Sequence, residues 1–230
     1  MNVAAVVPIK TLSDAKSRLA AVLDGLERRQ LAMWLLSRVT RAIEESRATR
    51  WLAVVSPDAE ALRWAHAQGF AAVRQTAGDL NAGIELGRQW ACEHEADALL
   101  VVLGDLPLVS PDDVRQIIAL AAATAEQARA AGQTGAIVLG PDRGHSGTNA
   151  LLVSLPASLP FAFGSRSRER HEARARLRGM AVATFDAPGI AWDVDLPADL
   201  FELRARGLMR DADLDFGENA AQTRGDGRGA

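Results

Sequence analysis

The feature that most constrains the fold is an uninterrupted apolar segment, ALLVVL, at residues 98–103. A strand with one face in water alternates apolar and polar residues, so this segment predicts a central strand covered on both faces. Shorter apolar segments at residues 3–9, 51–55 and 70–73 precede it, separated by stretches with apolar residues at helical spacing. This alternation predicts an α/β fold, a single-domain three-layer sandwich with a mostly parallel sheet.

The second half of the chain continues the same pattern. Further strands are predicted at residues 136–139, 148–153, 180–185 and 190–194. The arginine-rich segment at residues 165–179 predicts an exposed helix, because a run of charges usually faces solvent. The glycine-containing segment GDLNAG, residues 78–83, predicts a loop before a helix that ends near residue 94.

The composition limits the class of protein. Of 230 residues, 48% are hydrophobic and 24% are charged, with a net charge of -3. We place one domain with a sizeable core at residues 1–210, whereas residues 211–230 are rich in Gly and Asp and predict a disordered C-terminal tail. The near-neutral charge argues against a nucleic-acid surface, and no segment reaches the roughly 18 apolar residues of a membrane span. We therefore expect a cytoplasmic protein that binds neither nucleic acid nor membranes.

Only two of the 26 basic side chains are lysines, Lys10 and Lys16, and both follow the first predicted strand. Because arginine fills every other basic position, we interpret this pair as compact charges, which is how lysine acts at phosphate sites. Chance clustering of two residues is the alternative. The P-loop and dinucleotide-binding motifs are both missing after this strand, and the glycine-rich GPDRGHSGTN at residues 140–149 is a weaker anion-binding signal.

Carboxylates follow other predicted strands. Asp105 comes soon after ALLVVL, and Asp193 and Asp195 lie in IAWDVD, where alternation along a strand would put both on one side. Ligands of α/β sheets collect at the carboxyl ends of the strands, and three such carboxylates form an oxygen-ligand set suited to Mg²⁺. The alternatives are that Asp105 forms a turn and that Asp195 caps a helix beginning at Pro197.

Six segments, in order along the chain, carry a resemblance to a known family: PIKTLSDAKSRLA, GDLNAG, GDLPL, GTNALL, FGSRSRERH and DVDLPADL. They resemble the guanylyltransferases that load a phosphorylated hydroxy acid in the biosynthesis of the deazaflavin coenzyme F-420. The resemblance covers about residues 1–206. It implies a glycosyltransferase-A-like nucleotidyltransferase fold and transfer of GMP from GTP to the phosphate of the acid, with release of pyrophosphate.

The resemblance also implies roles for particular residues. The triphosphate loop is matched by Lys10, Ser13, Lys16 and Arg18, the nucleotide site by Asn81, the Mg²⁺ positions by Asp105, Asp193 and Asp195, and the positions that hold the acid by Thr148, Gly164 and Ser167. Lys10, Lys16, Arg18 and Asp105 are the residues expected to act in catalysis. No general base is expected, because a phosphate oxygen is already ionised at neutral pH. The implied partners are GTP, the phosphorylated acid, a second copy in a homodimer and a downstream transferase of the pathway.

Two departures from the family pattern lie on the acceptor side. Arg168 replaces the phenylalanine of FGxxSF, and His145 with Ser146 precedes GTN. A histidine can hydrogen-bond a hydroxyl group, so His145 leads us to expect 3-phospho-D-glycerate as the acceptor, ahead of phosphoenolpyruvate or 2-phospho-L-lactate. Two other functions stay open. One is a nucleotidyltransferase of the molybdenum-cofactor type, whose glycine-rich, arginine-containing loop is missing here, and the other is a non-catalytic module that binds a phosphorylated ligand.

Overall fold

The computed structural model of the chain describes residues 1–156, 159–210 and 213. The tail predicted at residues 211–230 lies outside the described residues, apart from residue 213. The strands are β1 (Val3–Pro8), β2 (Trp51–Ser56), β3 (Ala71–Arg74), β4 (Ala98–Val102), β5 (Ala136–Pro141), β6 (Thr148–Ser154) and β7 (Ala181–Thr184). The α-helices are α1 (Gly25–Ser46), α2 (Ala59–Ala67), α3 (Leu80–Glu93), α4 (Pro111–Ala130), α5 (Ser167–Leu177), α6 (Pro188–Ala191) and α7 (Pro197–Ala205).

All seven strands form one sheet in the order β3-β2-β1-β4-β6-β5-β7. The apolar segment predicted to be central is β4, which lies at the middle of the sheet and is buried along its whole length. Most neighbours are parallel, whereas β6 runs antiparallel to both β4 and β5. The reversed direction of β6 brings its first residue, Thr148, to the edge at which the parallel strands end.

Helices cover both faces of the sheet and complete three layers. Alternate residues of β1 and β4 pack on one side against α1, α2 and α4, and on the other side against α3, α5 and the segment 159–164, which we call the strap. A third cluster joins α1 to α7 through Trp192 and Val194. Asp24 and Glu27 form a capping box at the start of α1, and Ser110 caps α4. No helix in the described ranges combines the length and apolar character needed to cross a bilayer.

The predicted strand at residues 190–194 is wrong. Pro188 begins the short helix α6, and the chain leaves it in an extended conformation at Trp192. The side chain of Asn149 donates hydrogen bonds to the backbone oxygens of Ile190 and Ala191, at 3.0 and 3.2 Å. These oxygens therefore find their partners in a side chain rather than in a strand ladder.

The prediction that all of GDLNAG is a loop is also wrong. Asp79 caps α3 by accepting a hydrogen bond from the backbone N–H of Ala82, at 3.0 Å. The helix therefore begins at Leu80, and Asn81 lies in its first turn. A side-chain oxygen that satisfies one free N–H of the first turn is a usual helix start, and here it outweighs the glycine content of the segment.

Close packing of α3 on the sheet gives a test of the fold. A Cβ atom at Gly87 would lie 2.8 Å from Val6 Cγ1 and 3.4 Å from Val55 Cγ2. Overpacking costs about 1–3 kcal/mol, which exceeds the roughly 1 kcal/mol that alanine gains over glycine in a helix. We expect Gly87→Ala to destabilise the protein by about 1 kcal/mol and to lower its Tm by about 2–4 °C, measured by thermal denaturation.

Gly25→Ala is the matched control, because a Cβ at this first residue of α1 meets only Arg28 Nη2, at 4.0 Å. Its Tm should stay within about 1 °C of the wild-type value or rise slightly. Equal stability of the two variants would show that α3 does not press on β1 as described.

Candidate active site

The charged residues singled out in the sequence collect where β1 and β4 end. The sheet grows outward in opposite directions from this pair of strands, so the loops that follow them separate and leave a crevice, the usual ligand position in α/β sheets. A cleft of about 430 Å³ opens there. Its lining includes Lys10, Lys16, Arg18, Asp105, Asp193 and Asp195.

Three carboxylates converge in this cleft. Asp105 follows β4, and the backbone N–H of Val194 donates to the Asp105 carbonyl oxygen at 3.2 Å, which fixes the later segment beside the earlier one. Trp192 and Val194 are buried, so alternation along the extended backbone turns Asp193 and Asp195 to the cleft. Carboxylate oxygens of the three aspartates lie within 4.8 Å of one another.

Asp199 holds the backbone around Asp195. One carboxylate oxygen of Asp199 accepts from the backbone N–H groups of Asp195 and Leu196, at 3.0 and 2.7 Å, and the other pairs with Arg143. Burial alone would raise the pKa of Asp199, but these donors lower it below its usual value. The alternative in which the Asp195 carboxylate caps α7 is therefore wrong, because Asp199 has that role and the Asp195 side chain faces the cleft.

Lys16 lies between two of the carboxylates. Its Nζ is 2.8 Å from Asp105 Oδ2 and 3.4 Å from Asp195 Oδ1, and its side chain is only 9% exposed. The backbone of Lys16 has a φ of 51°, the left-handed conformation, between two short 3-10 turns. Burial acts to lower the pKa of this ammonium, but the charges of Asp105 and Asp195 raise it above its ordinary value. Lys16 is therefore a charged partner of the cluster.

The three carboxylates have oxygen atoms that could still bind a cation. Asp105 Oδ1 is buried and finds no hydrogen-bond partner among the described residues. The pKa of Asp193 is raised above its usual value, mainly by burial and next by the negative charge of Asp105. The negative charge of the three carboxylates is therefore not fully balanced by nearby positive charge. Hard oxygen ligands in this number suit a divalent cation such as Mg²⁺. The donor set fits a metal ion at Asp105, Asp193 and Asp195.

Of the other residues of the predicted triphosphate loop, Lys10 and Arg18 line the cleft, whereas Ser13 lines neither this cleft nor the one described below. Arg18 Nη1 contacts Asp195 Oδ2 at 3.0 Å, although its side chain is 70% exposed. Lys10 and Ser13 are exposed, and Ser13 Oγ lies 3.4 Å from Asp14 Oδ1. The loop is anchored by the backbone N–H of Leu12, which donates to Asp58 Oδ2 at 2.9 Å.

A second cleft of about 410 Å³ shares a wall with the first, formed by residues that include Lys10 and Leu80. Asn81 and Gly164 line it. The Asn81 amide is occupied by the strap, since its oxygen accepts from the backbone N–H of Phe163 at 2.7 Å and its nitrogen donates to the Phe163 carbonyl oxygen at 3.2 Å. Asn81 thus fixes the backbone next to Gly164, whose φ of 115° suits a residue without a side chain.

Of the residues predicted to hold the acid, Gly164 lines the second cleft, whereas Thr148 and Ser167 line neither cleft. Thr148 and Ser167 are both buried, at the start of β6 and of α5. His171 is also fully buried, with Nδ1 3.2 Å from Thr148 Oγ1 and Nε2 accepting from the backbone N–H of Ala162 at 2.9 Å. Burial first, and then the charges of nearby arginines, lower the pKa of His171 to about 4, so its ring is neutral at pH 7.

His145 lies apart from these groups. Its side chain is 52% exposed, it lines neither cleft, and its Nε2 is 3.8 Å from Asp186. Arg168 Nη1 approaches its Nδ1 at 3.3 Å, and the backbone N–H of Arg168 donates to the Ser146 carbonyl oxygen at 3.1 Å. The two departures from the family pattern therefore contact each other, Arg168 from the start of α5 and His145 with Ser146 from the loop between β5 and β6.

Sequence reasoning missed three residues that support the site. Asp58 caps α2 with one oxygen, and its second oxygen anchors the loop after β1, a contact between distant segments that no local pattern indicates. Asp199 is the third residue of the helix that begins at Pro197, the position from which a carboxylate reaches back to the N–H before the helix, and this signal was available. His171 had a weaker signal, since it ends the motif FGSRSRERH within an arginine-rich helix that predicts exposure.

Comparison with solved structures identifies the fold. A protein assigned as a nucleotide-diphospho-sugar transferase from Desulfovibrio desulfuricans G20 superposes with a TM-score of 0.69 at 15% identity, over 92% of this chain and 90% of that one. A nucleotidyl transferase from Methanothermobacter superposes with a TM-score of 0.60 at 18% identity, over 90% and 98%. The α/β fold is therefore that of glycosyltransferase-A-like nucleotidyltransferases, as the sequence resemblance implied.

Sequence relatives are closer. A protein of Rubrobacter xylanophilus named phosphoenolpyruvate guanylyltransferase is 43% identical over 90% of this chain and 96% of its own length. A protein of the same name from Sphaerobacter thermophilus is 43% identical over 88% of this chain and 93% of its own length. The family model described as "Guanylyl transferase CofC like" matches residues 3–213. The chain is therefore a nucleotidyltransferase and belongs to the CofC-like family of guanylyl transferases.

Proposed function

We propose that the protein transfers GMP from GTP to the phosphate of phosphoenolpyruvate, with Mg²⁺ bound by Asp105, Asp193 and Asp195. The observation that carries this proposal is the convergence of these carboxylates with Lys16 at the ends of β1 and β4. A transferase that joins two phosphorylated anions needs positive charge and a metal site at one point. Membership of the guanylyl transferase family supports guanosine as the nucleoside that is transferred.

Two observations favour phosphoenolpyruvate over the acceptor first expected. The relatives at 43% identity carry phosphoenolpyruvate guanylyltransferase as their name. The expectation of 3-phospho-D-glycerate depended on His145 as a partner for a hydroxyl group, yet the His145 side chain is half exposed and its ring nitrogens face Arg168 and Asp186. Phosphoenolpyruvate has no free hydroxyl group and needs no such partner.

In the proposed reaction, an oxygen of the acceptor phosphate forms a bond to the α-phosphorus of GTP while the bond from that phosphorus to the departing pyrophosphate breaks. Lys10, Lys16 and Arg18 line the cleft and offset the negative charge of the triphosphate. The chain holds two mutually repelling anions in line, which is the main task in such a transfer. The attacking oxygen is already ionised, so no side chain has to remove a proton.

A bound Mg²⁺ would supply Lewis-acid stabilisation of the charged phosphates. The chain's own contribution is to fix the carboxylates before ligands arrive. The Asp105 backbone binds the N–H of Val194, and Asp199 binds the N–H of Asp195, so both metal-binding segments are held by hydrogen bonds. Such support around the binding side chains keeps them in one geometry.

On the acceptor side, we assign the acid to the region of Thr148, Gly164 and Ser167. Gly164 lines the second cleft. Thr148 and Ser167 line neither cleft, but Thr148 is joined to the strap through His171. At the start of α5 the backbone N–H groups of Ser167 and Arg168 are bonded to the carbonyl oxygens of Gly164 and Ser146, both at 3.1 Å, which ties this end of the helix to the segment that contains Gly164. The product would contain a phosphoanhydride between GMP and the acid, so a downstream transferase that displaces GMP is the partner we expect.

Asp105→Asn tests the metal assignment. The amide keeps the volume of the side chain but loses the charge that binds the cation and faces Lys16. We expect pyrophosphate release from GTP and phosphoenolpyruvate to fall at least about 100-fold, because charge stabilisation of this kind contributes several kcal/mol. The binding of Mn²⁺, followed by electron paramagnetic resonance, should weaken in parallel.

The control is Asp112→Asn on α4, an exposed carboxylate that is paired with Arg115 and lines neither cleft. This variant should keep the wild-type rate. The metal assignment is wrong if Asp105→Asn turns over at the wild-type rate in saturating Mg²⁺.

Lys16→Arg tests the need for a compact charge. The Lys16 ammonium occupies a nearly closed space between Asp105 and Asp195, and a planar guanidinium is larger and differently hydrated. We expect kcat to fall at least about tenfold although the charge is kept. Arg129→Lys, an exchange on the exposed end of α4, should leave kcat unchanged. A fully active Lys16→Arg variant would mean that the pair of lysines reflects composition alone.

The acceptor is tested by comparing kcat/KM for phosphoenolpyruvate, 2-phospho-L-lactate and 3-phospho-D-glycerate. We expect phosphoenolpyruvate to be preferred, and His145→Ala to change the ratios among the acids by less than about twofold. A contacted hydroxyl group contributes about 1 kcal/mol, or roughly fivefold. A wild-type preference for 3-phospho-D-glycerate that drops by fivefold or more in His145→Ala would instead establish His145 as the selecting residue.

A further inference from the structure

A buried histidine that the proposed reaction does not use lies behind the acceptor side of the site. His171 on α5 is fully buried, yet both ring nitrogens have polar partners on different elements. Nε2 faces the backbone N–H of Ala162 in the strap at 2.9 Å, and Nδ1 faces Thr148 Oγ1 on β6 at 3.2 Å. The ring of Phe163 packs against it edge to face, with centroids 4.9 Å apart.

The backbone partner determines which ring nitrogen carries the proton. The N–H of Ala162 can only donate, so Nε2 must accept and cannot itself be protonated. A neutral imidazole carries one proton, which then lies on Nδ1 and points to Thr148. A doubly protonated ring would direct its Nε2–H at the N–H of Ala162, which is unfavourable. This agrees with the pKa of His171, which is lowered to about 4, mainly by burial.

This tautomer fixes the direction of the next hydrogen bond. If His171 Nδ1–H donates to Thr148 Oγ1, the hydroxyl proton of Thr148 is free to donate elsewhere. Within the described residues, no second hydrogen bond to this hydroxyl is found. An anion such as a phosphate or a carboxylate accepts such a proton, and hydrogen bonds to charged groups are stronger than neutral ones. The chain of donors therefore runs from Ala162 through His171 to Thr148.

We propose that His171 is a positioning residue, which holds the Thr148 hydroxyl as a hydrogen-bond donor to the phosphorylated acceptor and fixes the strap beside it. The inference rests on the proposed function, because it places the acid at Thr148. The strap is held from three sides, by Arg174 on the carbonyl oxygen of Phe161, by His171 on Ala162 and by Asn81 on Phe163. Among these contacts, only that of His171 extends to an acceptor-side hydroxyl.

Two substitutions separate the two contacts of the ring. In His171→Asn the amide nitrogen stands close to the position of Nδ1, so the donor to Thr148 is kept and the contact with Ala162 is lost. In His171→Gln the amide oxygen stands close to the position of Nε2, so the strap contact is kept and the donor is lost. Both variants remove a buried ring, so a loss of packing affects them alike.

We expect His171→Gln to raise the KM for phosphoenolpyruvate about tenfold, while the KM for GTP stays within about twofold. His171→Asn should keep the acceptor KM within about threefold of the wild-type value. In the background of Thr148→Val, which has no hydroxyl group, His171→Gln should add less than about twofold. Equal rises in both single variants, or an undiminished effect in the Thr148→Val background, would overturn the proposal.

The tautomer is read on the wild-type protein without turnover. Long-range ¹H–¹⁵N correlation spectra of the four histidines should show one ring that stays neutral and protonated at Nδ1 down to about pH 5, and His171→Gln should remove its signals. A ring protonated at Nε2 would overturn the positioning role. If the wild-type enzyme accepts none of the three phosphorylated acids, the proposed function fails together with the acceptor role, whereas the spectrum still identifies the donor to Thr148.

Discussion

The parallel pairing of β1 with β4 is the constraint on which the rest of the site depends. Val3 lies opposite Ala98 and Val6 opposite Val101, with buried residues on both faces of the two strands. A shift of register by one residue would exchange the faces of every side chain, so the pairing is strongly specified. Because both strands end at the same edge, the loops after them bring Lys16 within 2.8 Å of a carboxylate 89 residues later in the chain.

The charges at this edge compensate one another. Carboxylates within 4.8 Å of each other repel, and the buried ammonium of Lys16 offsets part of that repulsion. A divalent cation bound to the same carboxylates would take over this compensation and would leave the ammonium to interact with phosphate. The roles that we propose for Lys16 and Asp105 are therefore linked, because both depend on one balance of charge in the same cleft.

The fold was predictable where the signal is local. The apolar segment at residues 98–103 depends on neighbouring residues alone, and it forms the buried strand β4 as predicted. The strand predicted at residues 190–194 failed because a side chain from another strand binds its backbone oxygens, and no local pattern contains that contact. For the site, strand ends pointed to the carboxylates, whereas the burial of His171 is set by the strap that folds over an arginine-rich helix.

The polar contacts around the two clefts form a nearly closed frame. The contacts are Lys16 with Asp195, Asp195 with Asp199, Asp199 with Arg143, Ser146 with Arg168, His171 with Ala162, and Phe163 with Asn81. Lys16, Asp195, Phe163 and Asn81 line the clefts, and the others lie behind them. The side chains and loops of this frame are ordered when the protein folds, so little conformational entropy remains to be lost when ligands bind. Nucleotide and acid therefore meet a template whose shape is already set, and more of their interaction energy is left to hold two anions at reacting distance.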